Sequence, residues 1–269
     1  MSDNDDALIG RLMTRREVLA LFGVAGAAIV VGCDDGNGDS ASSPTAGATR
    51  APTSAATAAG TATGASTTTV PACVVVPELT EGPFFIDEVL DRSDIRSDPS
   101  DNSVADGDQL DITVNVSRVG GDGSCAPLAN AQVDVWQCDA LGVYSGVEDI
   151  AGQFDTSDQQ FLRGYQRTDS SGQAAFTTIY PGWYMGRATH VHFKVRTDDG
   201  YEFTSQWFFD DAFSDTVHTQ GAYASKGASG RPQNGDDGIY PGTNGLLTLD
   251  VAESNGVYAT TFDIGLQIT

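Results

Sequence analysis

Lysine is almost missing from this sequence: Lys194 and Lys226 are the only two in 269 residues. Acidic side chains outnumber basic ones 37 to 14, giving a formal net charge of -23. A surface of that sign repels phosphate backbones and argues against nucleic acid as a partner. Its plainest consequence is solubility. Long apolar runs are missing too. The stretch from Val18 to Val31 falls short of the ~20 residues that a hydrocarbon core of ~30 Å requires. Amphipathic helical periodicity is absent, which argues against a bundle of helices. There is no Gly-x-Ser-x-Gly elbow, no phosphate-cradling Gly-x4-Gly-Lys, no His-Glu-x-x-His and no Cys-x-x-Cys, so several large enzyme classes drop out.

What is abundant is turn chemistry. The 31 glycines and 10 prolines punctuate short segments of alternating polarity, at 109–118, 131–138, 173–179, 189–196, 202–209 and 257–268. Period-two alternation between Gly- and Asp-rich turns, such as 120–123 and 169–172, reads as strands. The expectation is an all-β fold, an antiparallel β-sandwich with few short helices.

The N-terminal third has a different character. Arg15 and Arg16 form a twin-arginine pair ahead of the apolar run Val18 to Val31, which has the dimensions of a signal-peptide core. It ends in Val30-Val31-Gly32-Cys33, which resembles a bacterial lipobox. Residues 1–32 are therefore expected to be a twin-arginine lipoprotein signal peptide, with Cys33 lipidated and the protein anchored to a membrane outside the cytoplasm. Residues 33–72 are rich in Ser, Thr, Ala, Gly and Pro and carry too little apolar surface to build a core, so they read as a tether. The folded domain is expected at 73–269. Outside the cytoplasm a disulfide is expected. Cys125 and Cys138 bracket one predicted strand, whose rise of ~3.3 Å per residue holds them too far apart to bond. Cys73 is thus left to pair with Cys125 or Cys138.

Only three histidines occur, and two of them form His190-Val191-His192 within a predicted strand. Positions i and i+2 share a face, so both imidazoles are available to one metal ion. A His-x-His pair alone fits hydrogen-bonded surface histidines equally well. Tyr184, in the Pro181-Gly182-Trp183-Tyr184 turn, and Tyr144, just past the strand at 131–138, add two phenols. A trivalent cation can hold a phenol as phenolate despite its ordinary pKa near ~10, and imidazole suits iron.

Five segments now line up: 80–85 (TEGPFF), 133–146 (VDVWQCDALGVYSG), 163–184 (RGYQRTDSSGQAAFTTIYPGWY), 186–195 (GRATHVHFKV) and 205–209 (SQWFF). In that order they resemble the intradiol ring-cleavage dioxygenases, and most of all the exported branch of that family. The resemblance implies an Fe(III) ion held by Tyr144, Tyr184, His190 and His192. It implies that Tyr184 leaves the metal when substrate binds, while Tyr144 stays. Arg187 matches the family's active-site arginine and Gln206 the glutamine beside it. The implied substrates are a catechol and O2, and the implied product is a cis,cis-muconate-type diacid. Arg187 would then stabilise negative charge developing on the ring.

Two departures stand out. Only Met185 to Thr189 separate Tyr184 from His190, where relatives carry a longer loop, so the pocket is expected to be more open and the substrate unspecified. The helical dimerisation region of catechol 1,2-dioxygenases has no counterpart, which leaves monomer and homodimer both open. The competing readings are a non-catalytic, transthyretin-like binding module on the cell surface and an iron carrier without turnover. Trp183, Phe84 and Phe85 are expected pocket walls, and His218 has no assigned role.

Overall fold

The computed structural model describes residues 73–148 and 154–268. The segments expected to be a signal peptide and a tether, with Cys33 between them, lie outside the described residues. Among the described residues no helix is long and apolar enough to cross a membrane.

Two sheets carry the fold. The first is built on β1 (Gln109–Val119), which pairs along one edge with β2 (Cys125–Pro127) and β5 (Gln173–Ile179). Its other edge pairs with β9 (Val257–Leu266), which is followed by β8 (Ala252–Ser254). The second has the order β4 (Arg163–Arg167), β3 (Gln132–Trp136), β6 (His190–Arg196), β7 (Glu202–Phe208). Pairing between these strands is antiparallel except for β1 with β9, which run parallel. One short helix, α1 (Asp211–Val217), follows β7. Its first turn is capped by Asp210, whose carboxylate accepts from the Phe213 amide at 2.9 Å.

The expected all-β sandwich is the fold observed. Each of the six expected segments contains a strand, whereas β2, β4 and β8, of three to five residues, were not anticipated.

Burial separates the two sheets by role. Along β1 every second residue is buried, so Leu110, Ile112, Val114 and Val116 face the core and the alternate positions are only partly covered. Along β6 six consecutive residues, His190 to Val195, are buried. Val191, Phe193 and Val195 enter the main core, where Phe193 stacks on Trp207 at 4.2 Å. The alternate residues, His190 and His192, are therefore covered on the opposite face. A second, smaller apolar cluster is formed by Trp136, Cys138 and Tyr144, with Phe84, Phe85, Val147 and Tyr184 packed against it.

Residues 73–90 run across the same region as a strap. Gly265 donates to the Val74 carbonyl at 2.9 Å, Leu79 to the Thr204 carbonyl at 2.9 Å, and the Ser205 hydroxyl to the Pro77 carbonyl at 2.9 Å. A disulfide fixes the start of the strap. Cys73 is bonded to Cys125 with Cα atoms 6.1 Å apart, and Cys138 is free and buried. Of the two partners left open for Cys73, the fold selects the one on β2.

Candidate metal centre

Strand register places the histidines. His192 sits opposite Trp136 on β3 and opposite Gln206 on β7, and His190 sits opposite Phe208. The Trp136 indole lies flat against the His192 ring, with centroids 4.9 Å apart and planes 10° from parallel. Both imidazoles are nearly sealed from solvent, at 2% and 1% exposure. Burial, reinforced by the Arg187 charge, pushes the pKa of His190 down; burial and then His190 itself push His192 well down. Both rings are therefore neutral.

His190 Nδ1 lies 2.7 Å from the Ala188 carbonyl, which can only accept. Nδ1 thus carries the proton, and Nε2 presents a lone pair. That one lone pair has two neighbours: His192 Nε2 at 3.1 Å and the Tyr184 hydroxyl at 3.3 Å. It cannot serve both as an ordinary acceptor. A shared cation would resolve the crowding.

The tyrosines come from two loops that meet over the sheet. Tyr144 follows β3 and Tyr184 precedes β6; their ring centroids are 5.8 Å apart, and Tyr144 lies 6.2 Å from His192. The two loops touch so closely that neither tolerates a side chain at the contact. A Cβ on Gly142 would collide with the Trp183 carbonyl, and one on Gly182 with the carbonyls of Asp139 and Ala140. Gly142 also has φ +87°, a conformation that L side chains rarely adopt. Lys226 locks the contact by donating to the Leu141 carbonyl at 2.6 Å and the Trp183 carbonyl at 2.5 Å.

The Tyr144 hydroxyl is buried without a hydrogen-bond partner, as is His192 Nδ1. An unpaired buried hydroxyl is costly. Burial raises the Tyr144 pKa well above the usual phenol value and that of Tyr184 to about 12, with Arg187 opposing the rise at Tyr184. Left to themselves, both phenols stay protonated. A trivalent cation held by two phenolate oxygens and two imidazole nitrogens would satisfy the orphaned hydroxyl and the crowded lone pair together. The donor set fits ferric iron. Among the described residues no three His, Cys, Asp or Glu side chains gather into a metal cluster, so the tyrosines are indispensable to any such site.

Beside these four groups lies Arg187. Its Nη2 is 2.5 Å from Gln206 Oε1, and Gln206 Nε2 in turn donates to the Thr80 carbonyl at 2.9 Å. All six site residues expected from the sequence are therefore brought together. Of the three expected walls, Phe84 stacks on Tyr144 at 4.3 Å. Phe85 packs on Trp136 instead, at 4.9 Å. Trp183 braces the loops, donating from Nε1 to the Gly227 carbonyl at 2.8 Å. Met185, at the turn between Tyr184 and β6, is 91% exposed, so that side of the site is open.

Three residues escaped the sequence reading. Arg163 is buried and ties Phe84 to Ser145, next to Tyr144, through their carbonyls. Lys226 clamps the tyrosine loops, and Asp237 pairs with Arg187 at 2.9 Å. Each acts through backbone groups or through a distant partner, which no local pattern announces.

Comparison with known proteins bears on this geometry. Residues 80–224 match the Dioxygenase family model. A chlorocatechol 1,2-dioxygenase from Pseudomonas sp. strain P51 is 35% identical over 103 residues, covering 32% of this chain and 39% of that protein. The beta chain of protocatechuate 3,4-dioxygenase from Burkholderia cepacia is 28% identical over 193 residues, covering 66% and 74%. The chain thus spans well under half of the chlorocatechol relative. Among solved structures, an intradiol ring-cleavage dioxygenase from Tetranychus urticae superposes with a TM-score of 0.61 at 28% identity, covering 72% of this chain and 95% of that one. On the family match and this fold, the chain belongs to the intradiol ring-cleavage dioxygenase family.

Proposed function

We propose that the protein is an Fe(III)-dependent intradiol dioxygenase that opens a catechol ring between its two hydroxylated carbons, giving a cis,cis-muconate-type diacid. The observation that carries this reading is the convergence of two buried histidines with the buried, unpaired phenol of Tyr144 and the half-buried phenol of Tyr184, beside a fixed arginine. Tyr144, Tyr184, His190 and His192 would hold the iron. When bound, ferric iron would supply Lewis acidity, drawing electron density from a catecholate ring toward reaction with O2. The overall reaction balances without a reductant: catechol and O2 together contain every atom and electron of the diacid.

The chain's own residues supply the rest. Once a bound cation holds it as phenolate, Tyr184, near the open side, would take one catechol proton on its phenolic oxygen. Tyr144 stays in place, fixed under Phe84. His190 is oriented by the Ala188 carbonyl. Arg187 faces negative charge developing on the ring, where a preset guanidinium is most effective. Gln206 sets the Arg187 side chain and ties it to the strap at Thr80. Phe84 and Trp136 keep water from the inner side.

Iron-loaded protein should consume O2 with catechol in equal amounts and release a colourless diacid absorbing in the ultraviolet. No O2 uptake, or a yellow semialdehyde from cleavage outside the diol, would overturn the proposal.

The same proposal places the enzyme outside the cytoplasm, anchored by lipid at Cys33. Its support is the twin arginines Arg15 and Arg16, the short apolar run and the Ser/Thr-rich segment that follows. Labelled palmitate should enter the expressed protein and fail to enter Cys33→Ser; equal labelling of both would refute the anchor.

A further inference from the structure

Arg187 is held at two corners. One partner, Gln206, belongs to the pattern already described. The other is Asp237, which lies beyond the family match ending at residue 224, in the irregular segment between α1 and β8. The Asp237 side chain is completely buried, at 0% exposure. Both carboxylate oxygens are engaged. Oδ2 accepts from Arg187 Nε at 2.9 Å and from the Ala188 amide at 2.7 Å. Oδ1 accepts from the Ile239 amide at 2.7 Å and the Tyr240 amide at 3.1 Å.

The two oxygens therefore do different things. Oδ1 closes the local turn at 237–240, as an aspartate at the head of a turn commonly does. Oδ2 reaches back fifty residues in sequence and grips both the guanidinium and the amide that follows it. Ala188 is the residue whose carbonyl orients His190. With Nε on Asp237 and Nη2 on Gln206, Nη1 is the guanidinium nitrogen that neither of these two anchors engages. A free arginine side chain samples many rotamers; this one is held at two of its three nitrogens.

We propose that Asp237 is a positioning residue for the ring-cleavage reaction: it fixes Arg187 so that Nη1 is presented to the substrate, and it steadies the backbone that aims His190. This rests on the dioxygenase reading for its catalytic consequence, but the hold of Asp237 on Arg187 is testable without it. The geometry also predicts a division of labour within one side chain. Removing Oδ2 should free Arg187, while keeping an acceptor for the turn should preserve the fold. Asp237→Ser does this, because a serine hydroxyl can still accept from the Ile239 or Tyr240 amide but cannot reach Arg187.

The test uses the full chain, as wild type, Asp237→Ser and Asp237→Asn, with four measurements on each. These are the thermal midpoint, the iron content with its visible absorption, the kinetics with catechol, and the rate of phenylglyoxal labelling at Arg187 mapped by peptide mass spectrometry. In Asp237→Ser, iron should still load, with its absorption displaced at most slightly as the backbone that aims His190 loosens. Labelling of Arg187 should accelerate several-fold, and kcat should fall by about 10- to 100-fold with KM changed far less, as expected when a reacting geometry loosens. In an Arg187→Lys background the same substitution should cost almost nothing further in kcat. Unchanged labelling of Arg187 in folded Asp237→Ser would overturn the proposal, and so would an undiminished kcat in that variant. A wild-type protein with neither iron absorption nor ring cleavage would sink the dioxygenase reading instead, and the labelling rates would still decide whether Asp237 holds Arg187. If Asp237→Asn fails to fold, Asp237→Ser decides alone.

Discussion

His218 is the imidazole that the centre does not use. It is 1% exposed, and Nε2 donates to the Pro181 carbonyl at 3.2 Å, which props the turn leading to Tyr184. Burial lowers its pKa to about 4, with the Pro181 contact opposing. Below pH 6.5 the unfolded chain binds this proton and the folded one does not, so stability falls as pH drops from 6.5 toward 4. The slope is at most about 1.4 kcal/mol per pH unit from this residue. Thermal melts from pH 7 to 4.5 should show this loss, and His218→Gln should flatten it; equal slopes would assign the acid sensitivity elsewhere. Arg163 makes a second case. Burial lowers its pKa to about 10, leaving it charged at neutral pH, and its guanidinium donates to Ser145 and Phe84. Arg163→Met strands those carbonyls and should destabilise the fold by roughly 2–4 kcal/mol in urea titration. Cys138, with burial raising its thiol to about 12, should resist iodoacetamide in the native protein and react after denaturation. None of these three roles was legible in the sequence, because each depends on what a side chain meets across the fold. The meeting of Tyr144, Tyr184, His190 and His192 was legible because His190 and His192 share a strand face, and because the motifs around the two tyrosines resemble a known family.

At the scale of elements, the site is a seam between two loops laid over one face of the β4-β3-β6-β7 sheet. The unbroken burial of β6 is the mark of that second layer, and strand alternation alone could not disclose it. The short strands β2, β4 and β8 were missed because three to five residues carry too little alternation to register. Lys226 is the pin of the seam, bonded to one carbonyl on each loop and lying 4.5 Å over the Trp183 ring. Lys226→Met removes both bonds while keeping the apolar stem. Amide exchange should quicken in 139–146 and 181–187 and stay unchanged in β1 and β9. Uniform acceleration would mean that Lys226 supports global stability rather than the seam.

Over the whole molecule, the strap at 73–90 joins the disulfide, the sheet and the aromatic wall of the site. The Cys73–Cys125 bond closes 52 residues of sequence, for which loop-closure entropy gives on the order of 4 kcal/mol. Cys73→Ala should lower stability by a substantial part of that and loosen Phe84 over Tyr144; a variant as stable as wild type would mean the backbone bonds alone hold the strap. The sandwich was legible from turn chemistry and alternating polarity. The choice of Cys125 over Cys138 was not, since it depends on where β2 docks.

Two tyrosines and two histidines are proposed to hold ferric iron where a catechol can reach it. The most direct measurement is the visible absorption spectrum of the purified, ferric-loaded protein, before and after catechol is added under nitrogen. A broad tyrosinate-to-iron(III) band should appear, shift with catechol, and be altered or abolished in Tyr144→Phe and Tyr184→Phe. A folded protein that stays colourless after ferric loading would contradict the proposal.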